Sequence, residues 1–176
     1  LLMLRSNQKE AINISIKNDF KSGIHFHATG TGKSWIALQL ILEYNIKYPK
    51  NNILWLCEKK SILIQQFNKQ TLKDKGYVNI FDIFHIVNFV EVKSNNWINS
   101  VNSSTFWNKP IILLINRCYL TNNSQYENIK IPFNLVIHDE CHTIKNNSSR
   151  ILYSDLLNKQ PNIKCIGFTA TPTLLY

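Results

Sequence analysis

Ala28-Thr29-Gly30-Thr31-Gly32-Lys33-Ser34 is the stretch on which the reading of this chain turns. Its glycines let backbone N–H groups curl around phosphate oxygens, Lys33 supplies a charge for β- and γ-phosphates, and the Ser34 hydroxyl is a ligand for Mg²⁺. Such a loop works between a strand and a helix, whose N-terminus adds its own partial positive charge. Both flanks fit: Ile24 to His27 reads as a strand and Trp35 to Tyr44 as a helix. His27 stands where the general phosphate loop has its first glycine, which argues against a nucleotide-kinase type of loop.

Outward from the loop, short β-branched runs alternate with helix-like segments, the pattern of a parallel sheet flanked by helices. Ser6 is placed to cap a first helix in which Ile12, Ile16 and Phe20 recur every four residues and share one buried stripe. Asn52 to Cys57, Ile80 to Val87, Ile111 to Ile115, Leu135 to His138 and Lys164 to Phe168 read as strands; Ser61 to Leu72 and Ser149 to Leu157 read as helices. Between Lys93 and Lys109 no period is legible, and Trp97 and Trp107 within it are better explained by packing than by stacking on bases. His25 and His85 alternate with apolar neighbours and read as strand residues rather than ligands. No repeat or long linker interrupts the chain, so residues 1–176 are expected to form one α/β domain. Leu1 in place of an initiator Met, and an end at Tyr176 close behind a motif, suggest a piece of a longer protein.

Composition narrows the class. A hydrophobic fraction of 44% is enough for a core, yet no uncharged apolar run approaches the roughly 18 residues that a membrane span needs. No secretory signal follows the short Leu1 to Leu4 run, so a soluble, intracellular protein without membrane contact is expected. Cys57, Cys118, Cys141 and Cys165 stand singly, with no CxxC pair and no histidine at zinc spacing, and read as reduced, mostly buried thiols. A formal charge of +9 points to a polyanionic partner, since Lys and Arg replace the counterions of phosphates. The wealth of Asn, Ile and Lys resembles the coding bias of an AT-rich genome, which lowers the functional weight of the asparagines.

A second chemical signal is Val136-Ile137-His138-Asp139-Glu140-Cys141-His142, an apolar strand ending in two adjacent acids. Two carboxylates at a strand tip can divide the work, Asp139 holding Mg²⁺ and Glu140 orienting and deprotonating the attacking water.

With the loop, these residues resemble superfamily 2 helicases. Ala-x-x-Gly-x-Gly-Lys-Ser is similar to that family's motif I, Asp139-Glu140-Cys141-His142 to the DExH form of motif II, and Phe168-Thr169-Ala170-Thr171-Pro172 to motif III. Leu4-Arg5-Ser6-Asn7-Gln8 is similar to the opening of the restriction-enzyme type, which implies that Gln8 reads the adenine edge. Leu54 to Lys60, running on to Gln65, resembles motif Ia with Glu58 in place of its usual Pro, implying that Lys59 and Lys60 face nucleic acid. Leu114-Ile115-Asn116-Arg117 matches motif Ib loosely. The resemblance runs in family order from Gln8 to Pro172. It implies a P-loop NTPase of RecA-like fold, a parallel β-sheet flanked by helices on both faces. It further implies ATP and Mg²⁺ as cofactors, bound through Gln8, Thr29, Gly30, Thr31, Gly32, Lys33, Ser34 and Asp139. By the same resemblance Lys33, Asp139 and Glu140 serve hydrolysis, and His142, Thr169 and Thr171 couple the nucleotide to domain movement. The remaining family motifs, the arginine finger among them, belong to a second RecA-like domain, so this piece should bind nucleotide better than it hydrolyses it. Thr-Ala-Thr-Pro, rather than Ser-Ala-Thr, favours DNA over RNA as the partner. Two other readings stay open: a different P-loop ATPase, and a non-catalytic nucleic-acid or protein-binding module with a vestigial nucleotide site.

Overall fold

The apolar runs of the sequence fall where a parallel sheet needs them. A computed structural model of the chain describes residues 6–26, 33–58, 68–88, 96–103, 108–122, 125–139 and 147–169. Within them β1 (Gly23–Phe26), β2 (Ile53–Cys57), β3 (His85–Asn88), β4 (Ile111–Asn116), β5 (Leu135–Asp139) and β6 (Lys164–Thr169) form one sheet in the order β1-β6-β5-β2-β4-β3. All neighbouring pairs are parallel. Every residue of β2, β4 and β5 is buried, the mark of central strands covered on both faces.

Helices occupy the crossovers: α1 (Ser6–Lys17) precedes β1, α2 (Lys33–Lys47) follows it, and α3 (Lys69–Asp74) and α4 (Ile80–Ile83) lie between β2 and β3. Then come α5 (Asn96–Asn102), α6 (Arg117–Asn122) and α7 (Asn147–Lys159). From β1 through β2 to β3 the chain travels one way across the sheet, and from β3 through β4 and β5 to β6 it travels back. Right-handed crossovers therefore put α2, α3 and α4 on one face and α5, α6 and α7 on the other. The packing agrees. Trp35 of α2 stacks on Tyr77, ahead of α4, at 6.0 Å and 3°, while α6 rests on α7.

Three expectations need correction. The stripe on α1 is not Ile12, Ile16 and Phe20, because Ile16 is 41% exposed; Gln8, Ala11, Ile12 and Ser15 are the buried face. A strict four-residue step drifts about 40° per step around a helix of 3.6 residues per turn, so the third member leaves the stripe. Phe20 reaches the core from beyond the helix, where its N–H bonds Ser15 O and the N–H of Asp19 bonds Ile16 O. That is a Schellman closure, with Asp19 (φ 53°) in the left-handed position. Ile80 to Val87 is not one strand: Tyr77, Ile80 and Phe84 enter the core at helical spacing, the backbone extends at Phe84, and strand pairing begins only at His85. Finally, Asn68 is extended (φ −72°, ψ 126°) and N-caps α3, so no single helix runs from Ser61 to Leu72. The illegible stretch contains α5, which buries Trp97, Ile98 and Val101; Trp97 is 1% exposed and packs rather than stacks on a ligand, while Trp107 lies outside the described residues.

Candidate functional site

The carboxyl ends of parallel strands gather at one edge of a sheet, and the candidate site is built there. Register fixes the levels: Phe26, the last residue of β1, is opposite Thr169, the last of β6, and Phe168 is opposite Asp139, the last of β5. The strand carrying Thr169 thus lies between the strand that leads into the phosphate loop and the strand that ends in the acids. Two strand spacings, about 10 Å, separate β1 from β5, room for a triphosphate between them. The chain leaves β1 toward α2 on one face and leaves β5 toward α7 on the other, which opens a crevice at the sheet edge.

Asp139 is 5% exposed and Thr169 fully buried, so both are fixed by packing at the strand tips. Lys33 and Ser34 are the first two residues of α2, at the helix N-terminus where an anion is favoured. Gln8 is 3% exposed on α1, the helix that packs on α2. Thr29, Gly30, Thr31, Gly32, Lys59, Lys60, Glu140, His142 and Thr171 lie outside the described residues. The donor set suits magnesium. A carboxylate oxygen is a hard donor, and this ion takes one or two protein oxygens and fills its other positions with phosphate and water. Asp139 and a serine at the start of α2 are that kind of set.

One cluster at this edge joins residues from three of the quoted stretches, a contact that the motifs themselves do not announce. Arg117, opening α6, donates from Nε to Glu58 Oε1 at 2.8 Å and from the end of its guanidinium to Oε2 at 3.2 Å. His138, the residue before Asp139, has Nε2 3.1 Å from the same Oε1 and Nδ1 2.7 Å from the Tyr153 hydroxyl on α7. Paired with Arg117, the Glu58 carboxylate only accepts, so Nε2 of His138 carries the hydrogen of that contact. The side chains are 4% (Arg117), 13% (Glu58) and 1% (His138) exposed. Asn116 completes the clamp: its amide donates to the Glu58 carbonyl at 2.9 Å, and its Oδ1 accepts from the N–H of Tyr119 at 3.0 Å. The signal in the sequence is a charged residue directly after each of two strands, Glu58 after the apolar β2 and Arg117 after β4, which is apolar as far as Ile115.

The model of the family described as type III restriction enzyme, res subunit, matches residues 1–174. The chain belongs to that family. No curated protein matches it. Among solved structures it is similar to a nuclease-deletion mutant of the Type ISP restriction-modification enzyme LlaGI in complex with a DNA substrate mimic, with 17% identity and a TM-score of 0.65 over 97% of this chain. It is similar to the UvsW helicase of bacteriophage T4, with 15% identity and a TM-score of 0.66 over 99% of the chain. A third is the SWI2/SNF2 ATPase core of Sulfolobus solfataricus in complex with dsDNA, with 16% identity and a TM-score of 0.65 over 97%. The chain spans 18%, 56% and 32% of those three chains. This res-subunit relative therefore has the fold of those proteins, a RecA-like parallel sheet flanked by helices. None of the described helices is long and apolar enough to cross a membrane.

Proposed function

We propose that this domain binds ATP with Mg²⁺ and is the first half of a nucleic-acid helicase or translocase whose hydrolysis is completed by a second RecA-like domain of the same protein. The observation that carries the reading is the strand order β1-β6-β5, which sets the end of β1 and Asp139 on either side of Thr169 at the carboxyl ends of the strands. In this reading the backbone of Thr29, Gly30, Thr31 and Gly32 cradles the phosphates, Lys33 neutralises the β- and γ-phosphates, and Gln8 reads the adenine edge. Ser34 and Asp139 would hold Mg²⁺, which offsets charge on the phosphate oxygens when bound. Glu140 takes a proton from the attacking water, and His142, Thr169 and Thr171 sense the nucleotide and pass its state to the second domain. Lys59 and Lys60 contact the nucleic-acid backbone. Two of the similar structures hold DNA or a DNA mimic, which supports DNA as the strand type.

Phosphoryl transfer needs charge stabilisation from both sides of the γ-phosphate, and an arginine supplied from outside is worth about 10³–10⁵ in rate in related enzymes. The 176-residue chain alone is therefore expected to hydrolyse ATP barely, and the full-length protein to do so when single-stranded DNA is added. Steady-state phosphate release tests this. Glu140→Gln should stop hydrolysis and spare nucleotide binding, whereas Asp139→Asn should also weaken Mg²⁺ binding. Fast, DNA-independent hydrolysis by the 176 residues would point instead to a self-sufficient P-loop ATPase.

A further inference from the structure

The buried cluster around Glu58 joins two parts of the site through side chains, at the tips of the neighbouring strands β2 and β5. Glu58 immediately precedes Lys59 and Lys60, and His138 immediately precedes Asp139. Between them stands one carboxylate oxygen, Oε1, shared by Arg117 Nε at 2.8 Å and His138 Nε2 at 3.1 Å. β2 and β5 are direct neighbours, with Leu56 opposite His138, so this bridge closes the tip of that strand pair. Its outer ends are anchored on two helices, Arg117 on α6 and Tyr153 on α7.

Stability alone does not account for such a group. Taking a guanidinium and a carboxylate out of water costs about as much as their attraction returns, and well-packed apolar residues of the same volume do as well or better. The strands beneath are wholly apolar up to this tip, so an apolar tip was open to this sheet as well. A shared acceptor does provide directional linkage. A shift of the backbone at Glu58 carries its carboxylate along and strains the bond to Arg117 or the bond to His138, and His138 is one peptide from Asp139.

We propose that Glu58, Arg117 and Tyr153 are positioning residues that transmit engagement of a nucleic-acid backbone at Lys59 and Lys60 through His138 to Asp139, so that hydrolysis is accelerated only on the bound strand. The inference rests on the motor reading above. Arg117 holds the Glu58 carboxylate in one orientation, Asn116 fixes its backbone, and Tyr153 keeps the His138 ring from turning.

The test uses the natural full-length protein, with hydrolysis measured at saturating ATP and Mg²⁺ with and without single-stranded DNA. Tyr153→Phe removes one hydroxyl and little volume, and Glu58→Gln keeps the shape while removing the charge. Each should cut the DNA stimulation about 5-fold or more, the lower range of typical site-to-site coupling. Hydrolysis without DNA and ATP affinity without DNA should stay at wild-type values. Arg117→Lys should behave like Glu58→Gln, because an ammonium cannot make the two parallel bonds of the guanidinium. The double variant of Tyr153 and Glu58 should lose little more than Glu58→Gln alone, since both act through one ring. If Glu58→Gln fails to fold, Tyr153→Phe carries the comparison by itself. Unchanged stimulation, or equal loss of basal and stimulated rates in step with a lower melting temperature, overturns the proposal. Wild-type protein showing no DNA-dependent hydrolysis overturns the motor reading instead, and that result is seen before any variant is made.

Discussion

Lys33 begins α2 where the chain returns from the phosphate loop, so its charge is expected to face ligand rather than core. Lys33→Ala should weaken ATP and ADP binding about 10-fold or more, the worth of a charge-assisted hydrogen bond of roughly 1.5–3 kcal/mol, and leave thermal unfolding unchanged. Calorimetry showing equal affinity for the two proteins would remove Lys33 from the site. On β6, burial pushes the Cys165 thiol from its ordinary 9.0 up to about 12. The folded chain therefore keeps this proton where the unfolded chain loses it. Stability linked to the group is whole below pH 9 and drains as the pH rises toward 12. Urea midpoints should fall across that window, and fall less steeply for Cys165→Ala; parallel slopes for the two would contradict the assignment. Beside Cys165, at the amino end of β6, Lys47, Tyr48 and Lys164 hold the Asp19 carboxyl well below the usual carboxylate range. That exposed group adds little to stability because water and salt screen it.

Local rules and core packing govern different elements, and their energies separate cleanly. Asn68 accepts from the N–H groups of Gln70 at 2.9 Å and Thr71 at 3.3 Å, capping the six-residue helix α3. Asn68→Ala should cost about 1 kcal/mol, the usual worth of such a cap. In central β4 the fully buried Leu114 has no exposed alternative, and Leu114→Ala should cost about 2–5 kcal/mol through reduced apolar burial and the cavity left behind. Chemical denaturation would rank the two; an Asn68→Ala loss as large as that of Leu114→Ala would mean that α3 is tied to the core by more than its cap. Asparagines that read as coding bias prove to be structural at several points. Asn52 accepts from the N–H of Ile111 and donates to Pro132 O, and its own N–H reaches Asn134 Oδ1, stitching the amino ends of three strands.

For the molecule as a whole, +9 is a statement about partners rather than fold. Binding of single-stranded DNA to the full-length protein should be independent of sequence and fall steeply with salt. Replacing Lys59 and Lys60 by Ala should flatten the slope of log K against log salt by about 0.7 for each phosphate no longer neutralised. An unchanged slope would place the DNA-binding surface elsewhere. The same measurement with duplex DNA and with RNA bears on the strand preference that the Thr-Ala-Thr-Pro ending suggests.

The central strands were legible because a parallel sheet covered on both faces demands uninterrupted β-branched and apolar runs, and Ile53 to Cys57, Ile111 to Ile115 and Leu135 to Ile137 are such runs. The candidate site is a reading of the sequence, possible because phosphate binding permits few residue types at fixed spacing, and many of the residues proposed for it lie outside the described ones. Neither kind of signal reports which strands become neighbours. Only the tertiary structure set β6 between β1 and β5, and thereby Thr169 between the end of β1 and Asp139. Only it brought Glu58, Arg117, His138 and Tyr153 within hydrogen-bonding distance. Each of these residues lies on a different part of the chain, and the pairing that joins them comes from sheet order, a property of the whole chain that no local window of sequence contains.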